Sequence, residues 1–341
     1  MKTFATRKRA SWVVAFAVVF VVVFIGSFAV GQYPVSPGEL LHVFFGTIVG
    51  APHTWPANVP LVLFDIRMPR ILAGALIGAG LSVAGAAYQG LFRNPMASPD
   101  ILGASAGAGF GAALAIFLGL GVAAVSASAF VAGLVAVGVA YAVSTRARGG
   151  PVLAMVLAGI MISSLFNAAV SYVKLVADPN NVLPAITFWL MGSLANVGYA
   201  QLLWAGVPVV VGGAVLVASR WQLNLLTTGE DEARSMGVNT RVMRLVIVAA
   251  ATLITSASVA VSGVIGWVGL VIPHFSRMVV GDDHRVMMPV SMLMGASFMM
   301  LVDDLARSVT TAEIPLGILT AFVGAPFFLY LIVARGKRRE A

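Results

Sequence analysis

The sequence predicts an all-α membrane protein that crosses the bilayer about ten times, and three observations carry that reading. The 341 residues are 60% hydrophobic and only 10% charged, with a mean hydropathy of +0.97, outside the range of soluble globular chains. Apolar runs of span length recur between isolated charges, and a hydrocarbon core of roughly 30 Å takes about 20 residues per helix. The basic residues collect in alternate connections, as membrane topology demands.

In chain order, a basic segment from Lys2 to Arg9 precedes the first apolar run at 12–31. Its charge order is that of a signal peptide, but an apolar run of about 20 residues predicts an uncleaved span. A Pro-rich outer connection, Gln32 to Arg70, carries His42, His53 and Trp55 and leads to spans at 71–92, 101–119, 122–144 and 151–173. Residues 101–145 contain no charge, and as one helix they would reach roughly 68 Å. They therefore form two spans, turning near Gly119 to Gly121. Past Asp178, Pro179 and Pro184 come spans at 200–219, 242–262, 264–280, 286–302 and 315–334. Residues 245–276 as one helix would reach roughly 48 Å, too long for one crossing without steep tilt. Gly263, Gly266, Gly269 and Pro273 predict the break.

Ten spans put both termini on one side. Assigned to the cytoplasm, they place 17 of the 21 Lys and Arg residues inside and leave only Arg67, Arg70, Lys174 and Arg307 outside, as the positive-inside rule requires. The net charge of +8 thus reads as topology, not as nucleic-acid binding. The expectation is one multi-pass transmembrane domain over 1–341 in the cytoplasmic (inner) membrane, with both ends cytoplasmic and lipid as its solvent.

Enzyme signatures are absent. There is no cysteine, no Gly-rich loop with Lys-Ser/Thr for nucleotide phosphates and no His-Glu-x-x-His zinc pair. Gly107, Gly109 and Ala112 match a relaxed dinucleotide fingerprint but sit in an apolar run, where small residues serve close helix packing, as at Gly74 and Gly78. The four histidines, His42, His53, His274 and His284, have no metal-ligand spacing, so no metal site is expected. The spans are nearly free of the ionisable residues that gradient-driven carriers use; Asp303 and Asp304 fall at an outer helix end.

The most informative inner segment is Gln222 to Gly237, residues 222–237. It reads as one or two short surface helices. Thr227 with Glu230, or Thr228 with Asp231, has capping-box spacing, and Gly237 suits a left-handed helix end. The plain alternative is a solvated loop helix.

From about residue 60 to 335 the chain resembles the FecCD/BtuC-like permeases of iron-siderophore, haem and cobalamin importers. The resemblance rests on Arg67-Met-Pro-Arg70, Gln89-Gly-Leu-Phe-Arg-Asn-Pro95, Leu102-Gly-Ala-Ser-Ala-Gly107 and Gly229-Glu-Asp-Glu-Ala-Arg-Ser-Met-Gly237. It continues through Gly263-Val-Ile-Gly-Trp-Val-Gly-Leu-Val-Ile-Pro-His274, Asp283-His-Arg285, Asp304-Leu-Ala-Arg307 and Glu313-Ile-Pro-Leu-Gly317. It implies the type II ABC importer permease architecture. A second permease copy or homologue, two ATP-binding cassette subunits and an external binding protein would complete the assembly. ATP and Mg would be used by the cassette subunit, with no cofactor bound by this chain. The ATPase-coupling segment would comprise Gly229, Glu230, Glu232, Ala233, Arg234 and Gly237.

The resemblance also places Arg67, Arg70 and Arg307 against acidic residues of the binding protein; lipid phosphate contact or internal pairing with Asp65, Asp303 or Asp304 is the alternative. The pathway would lie between two copies, lined by the fifth, eighth and tenth spans. Its gate would fall near Gly149 to Val152, at Gly150, Pro151 and Val152, with Ser163 and Asn167 further along the fifth span. Ferric siderophore leads the expected cargoes on family breadth, ahead of haem, cobalamin and molybdate-type oxyanions.

Overall fold

The computed structural model describes residues 2–49, 56, 58–147 and 150–337; His53, Trp55, Arg148 and Gly149 lie outside the described residues. The described chain is helical, with no strand. It runs α1 (Lys2–Ser27), α2 (Pro37–Val49), a single turn α3 (Asn58–Pro60), a π-helical turn (Leu61–Arg67) and α4 (Met68–Leu91). A 3-10 turn (Pro99–Leu102) precedes α5 (Ala104–Phe117), α6 (Val122–Arg146), α7 (Pro151–Val176), α8 (Val182–Met191) and α9 (Tyr199–Ala218). Then come α10 (Arg220–Thr228), α11 (Glu230–Ser235), α12 (Thr240–Ser262), α13 (Val268–Val280), α14 (His284–Ser308) and α15 (Leu316–Lys337).

Each of the ten expected spans meets a helix: α1, α4 to α7, α9 and α12 to α15. Among the described residues six helical stretches are long and apolar enough to cross a membrane, and the apolar parts of α1, α5, α13 and α15 are shorter. This is a multi-pass membrane protein. α4 is its central post, buried along most of its length and packed on α14, α12, α9 and α13. α7 is peripheral, with 17% of its most apolar stretch buried.

Small residues bring the helices into backbone contact, since lipid supplies no hydrophobic drive between them. A Cβ at Gly78 would lie 2.2 Å from the Gly295 carbonyl oxygen, which locks α4 to α14. A Cβ at Gly107 would lie 2.5 Å from Ala136 Cβ, so this glycine serves α5–α6 packing inside a helix, as the apolar context predicts.

Two expected spans are half-helices. After α4 the chain turns at Arg93 and climbs back beside α7, where a Cβ at Gly159 would lie 2.1 Å from the Ile101 carbonyl oxygen. Gly103, at φ +88°, then starts α5 in mid-structure. Its 14 residues rise only about 21 Å. The break after α12 falls at Gly263 to Trp267, and Pro273 lies inside α13 instead of at the break. α13 starts where Gly269 abuts Pro99 and the Leu81 carbonyl, midway along α4.

The connections before α4 and after α7 hold helices that hydropathy does not reveal: α2, α3 and α8. α2 begins with a reciprocal capping box, Ser36 N–H donating to Glu39 Oε2 at 2.9 Å and Glu39 N–H to Ser36 Oγ at 3.2 Å. Those bonds hold the Glu39 carboxyl below its usual range, the Ser36 backbone N–H being the larger cause.

Candidate functional site

At the end of the bundle that the basic residues assign to the cytoplasm, α10 and α11 form a two-helix projection with one buried and one exposed face. α10 buries Leu223 and Leu226 in the main core. Asn224 ties it to α14: its Nδ2 donates to Asp283 Oδ1 at 2.8 Å, and its Oδ1 accepts from His284 N–H at 2.9 Å. Glu230 of α11 accepts from Arg244 of α12, and Arg234 reaches Glu230 Oε2 at 3.5 Å and Thr240 Oγ1 at 3.2 Å. The projection is therefore fastened to both α12 and α14.

α11 ends as expected at Gly237, whose φ is +83°. Val238 N–H bonds the Ala233 carbonyl at 3.0 Å and Gly237 N–H bonds the Arg234 carbonyl at 2.9 Å, a Schellman closure with an apolar Ala233–Val238 contact beneath it. Its start differs from the expected capping box. The N-cap is Gly229, while Thr227 and Thr228 bond back to the Asn224 and Leu225 carbonyls of α10. Threonine hydroxyls at a helix end take the nearest free carbonyl of the preceding turn.

Ala233, expected on the partner-facing side, is fully buried; Asp231, Glu232, Ser235 and Met236 form the exposed face. The six-residue helix is held down through Ala233 because Val238 folds back onto it.

Gly150 N-caps α7 and Pro151 opens it, both exposed, while Val152 packs against the main core. Ser163 donates to the Gly159 carbonyl and faces the α5 start at Gly103. Asn167 is exposed on the same face as Ile160 and Ser164. Trp267, a residue the sequence did not single out, adopts φ +71° between α12 and α13 and lies against Gly324 of α15, where a Cβ would meet its ring at 2.7 Å. A bulky residue in that backbone region marks a held conformation.

At the opposite end of the bundle Arg67, Arg70 and Arg307 come together, and all three are buried, at 3%, 5% and 5% exposure. Arg67 ends the π-helical turn and donates to the Phe28 and Tyr33 carbonyls in the connection after α1. Arg70 bridges Asp303 and, through Nη1 at 2.7 Å, Glu313. Arg307 Nη2 donates to Asp304 Oδ1 at 2.5 Å and to the Ser27 carbonyl at 2.6 Å. Ser27 Oγ completes the ring on Asp304 Oδ2 at 2.7 Å. Asp303 and Asp304 are thus internal partners of these arginines, Asp65 stays exposed, and Glu313 is the half-exposed acid at the rim, its side chain 32% accessible. Arg70, Arg307 and the three carboxylates, with Ser27, close a compact network joining the end of α1, α4, α14 and the loop before α15, while Arg67 lies beside it on the Phe28 and Tyr33 carbonyls.

Comparisons with known proteins bear on this arrangement. The family model of the FecCD transport family matches residues 19–334. The molybdate import system permease protein MolB of Haemophilus influenzae is 38% identical over 319 residues, covering 92% of this chain and 93% of that one. The cobalamin import system permease protein BtuC of Halobacterium salinarum is 36% identical over 367 residues, covering 98% and 99%. A solved chain described as an inward-facing conformation of metal-chelate ABC transporter type superposes with a TM-score of 0.85 at 37% identity, covering 94% of this chain and 98% of that one. The chain belongs to the FecCD transport family and is an ABC importer permease.

Proposed function

We propose that this chain forms the membrane pathway of a binding-protein-dependent importer for a metal chelate, with ferric siderophore the first cargo to test. It pairs with a second permease copy or homologue, binds two ATP-binding cassette subunits that use ATP and Mg, and receives cargo from an external binding protein. Both termini are cytoplasmic, as the distribution of basic residues supports. The metal-chelate type of the solved relative supports the cargo class, and the molybdate and cobalamin relatives supply the competing cargoes.

The carrying observation is the α10–α11 projection. Its exposed Asp231, Glu232, Ser235 and Met236 are available to a partner, while Asn224, Glu230 and Arg234 fasten it to α14 and α12. A push on the exposed face therefore reaches two helices of the bundle, one of which, α14, ends in the outer arginine network. Two sites coupled through one fastened element can exchange free energy only if each binds its two states differently. The rim contact of Arg70 with Glu313 supplies such a difference on the outer side. A carboxylate of the binding protein that displaces Glu313 would free the loop before α15.

The test is co-reconstitution with the cassette subunits and binding protein in vesicles, followed by uptake of ferric siderophore, haem, cobalamin and molybdate in parallel. ATP-dependent uptake of a ferric chelate supports the reading. Uptake of molybdate alone would replace the cargo while keeping the importer. Uptake without cassette subunits would overturn the assembly.

A further inference from the structure

Beside the projection lies a cavity of about 430 Å³ whose charged lining is three arginines, Arg234, Arg241 and Arg244, against one glutamate, Glu230. Arg244 has its side chain 12% exposed and its Nε is buried without a hydrogen-bond partner among the described residues. Arg241 is exposed. Glu230 already serves both Arg234 and Arg244, so the pocket keeps an excess of guanidinium donors of the shape that matches phosphate oxygens.

A second cavity, about 570 Å³ and almost wholly apolar, runs along the outside of α12 between α6 and α9. The two share a wall residue, Tyr141 of α6. Along α12, Arg241 is followed by Leu245, Val248 and Thr252 at i+4, i+7 and i+11, one stripe of the helix, with Arg241 lining the first cavity and the other three the second. From Arg241 to Thr252 the stripe rises about 16 Å, half of a roughly 30 Å hydrocarbon core. A charged pocket at the helix end that opens onto an apolar groove one leaflet deep has the form of an amphiphile.

We propose that this is a binding site for an anionic phospholipid: its phosphate sits on Arg241 and Arg244, and one acyl chain lies in the groove between α6 and α9. Charge complementarity favours an anionic headgroup over a zwitterionic one, and the groove favours a lipid over a free anion. The site touches Glu230 and Arg234 from behind, so an occupant braces the projection against α12. The inference stands apart from the cargo and the assembly.

The test is native mass spectrometry of the full chain in detergent, titrated with phosphatidylglycerol, phosphatidylcholine of the same chains, or inorganic phosphate. Two substitutions address the two ends. Arg241→Gln removes a cation that makes no ion pair among the described residues. Gly138→Phe fills the groove from α6, where an added Cβ meets nothing within 4 Å. Wild type is expected to retain one phosphatidylglycerol in preference to phosphatidylcholine. Arg241→Gln should lower its retention about five-fold, as loss of one membrane-facing cation implies. Gly138→Phe should lower retention of both lipids. Each variant is scored only if it elutes as wild type does, and either one alone decides. Equal phosphatidylglycerol retention in a folded variant would overturn the proposal, as would its displacement by inorganic phosphate, which marks a free-anion site.

Discussion

Arg70 grips Asp303 with a fork: Nη2 lies 2.8 Å from Oδ1 and Nε 2.9 Å from Oδ2, with both side chains under a tenth exposed. The bond crosses from α4 to α14 about two helical turns from the Gly78–Gly295 backbone contact, so charge and close packing act on the same helix pair.

Removing Asp303 takes away the buried partner of Arg70 and leaves it only Glu313 at the rim. Asp303→Ala is expected to destabilise the chain by up to about 3 kcal/mol, the low end for a broken buried pair because Glu313 remains, read as a lower unfolding midpoint in detergent. The double variant Arg70→Met with Asp303→Leu should recover most of the loss, because an apolar pair of similar volume avoids the desolvation cost. Equal midpoints for wild type and Asp303→Ala would show that the pair is solvated in the folded protein.

Glu313 holds Arg70 from the rim with a 32% accessible side chain, so it is the exchangeable partner. Glu313→Gln should raise affinity for the loaded binding protein by up to about five-fold, since half-exposed ion pairs are worth about 0.2–1 kcal/mol. Added salt should shrink the gain. Reduced affinity would mean that Glu313 itself contacts the binding protein.

Ala233 and Gly237 respond to substitution for different reasons. Ala233→Trp places a large ring in the main core beneath α11, and overpacking of this kind costs typically 1–3 kcal/mol, so poor expression should precede any coupling defect. Gly237→Val forces a β-branched residue to φ +83°, costing about 1–2 kcal/mol. Its folded fraction should show reduced ATPase stimulation. Wild-type expression of Ala233→Trp in membranes would contradict the burial.

The spans were legible in the sequence because hydropathy reports solvent, and every long apolar run met a helix. Helix length was less legible. Hydropathy does not distinguish a full span at 101–119 from a half-helix that begins at Gly103, because it reports the solvent around a run and not the depth at which its helix starts. The short helices α2 and α8 escaped because about ten residues in a connection give no span signal. The arginines were recognised by type, yet their partners lie 233 and 243 residues away for Arg70, a separation that local pattern does not encode. The end of α11 was readable from Gly237 because one residue decides that backbone. The face of Ala233 was not, because Val238 folds back beyond the helix.

The most direct test of the account is charge reversal on the exposed face of α11. Asp231→Arg with Glu232→Arg changes two exposed side chains of α11 and leaves the core, the Gly237 closure and the outer arginine network untouched. ATP hydrolysis with and without loaded binding protein, and cargo uptake, are measured in vesicles carrying the assembled importer. The account predicts a folded permease that still binds the loaded binding protein but loses both stimulated hydrolysis and uptake. Full stimulation with full uptake would show that α11 is not the coupling element.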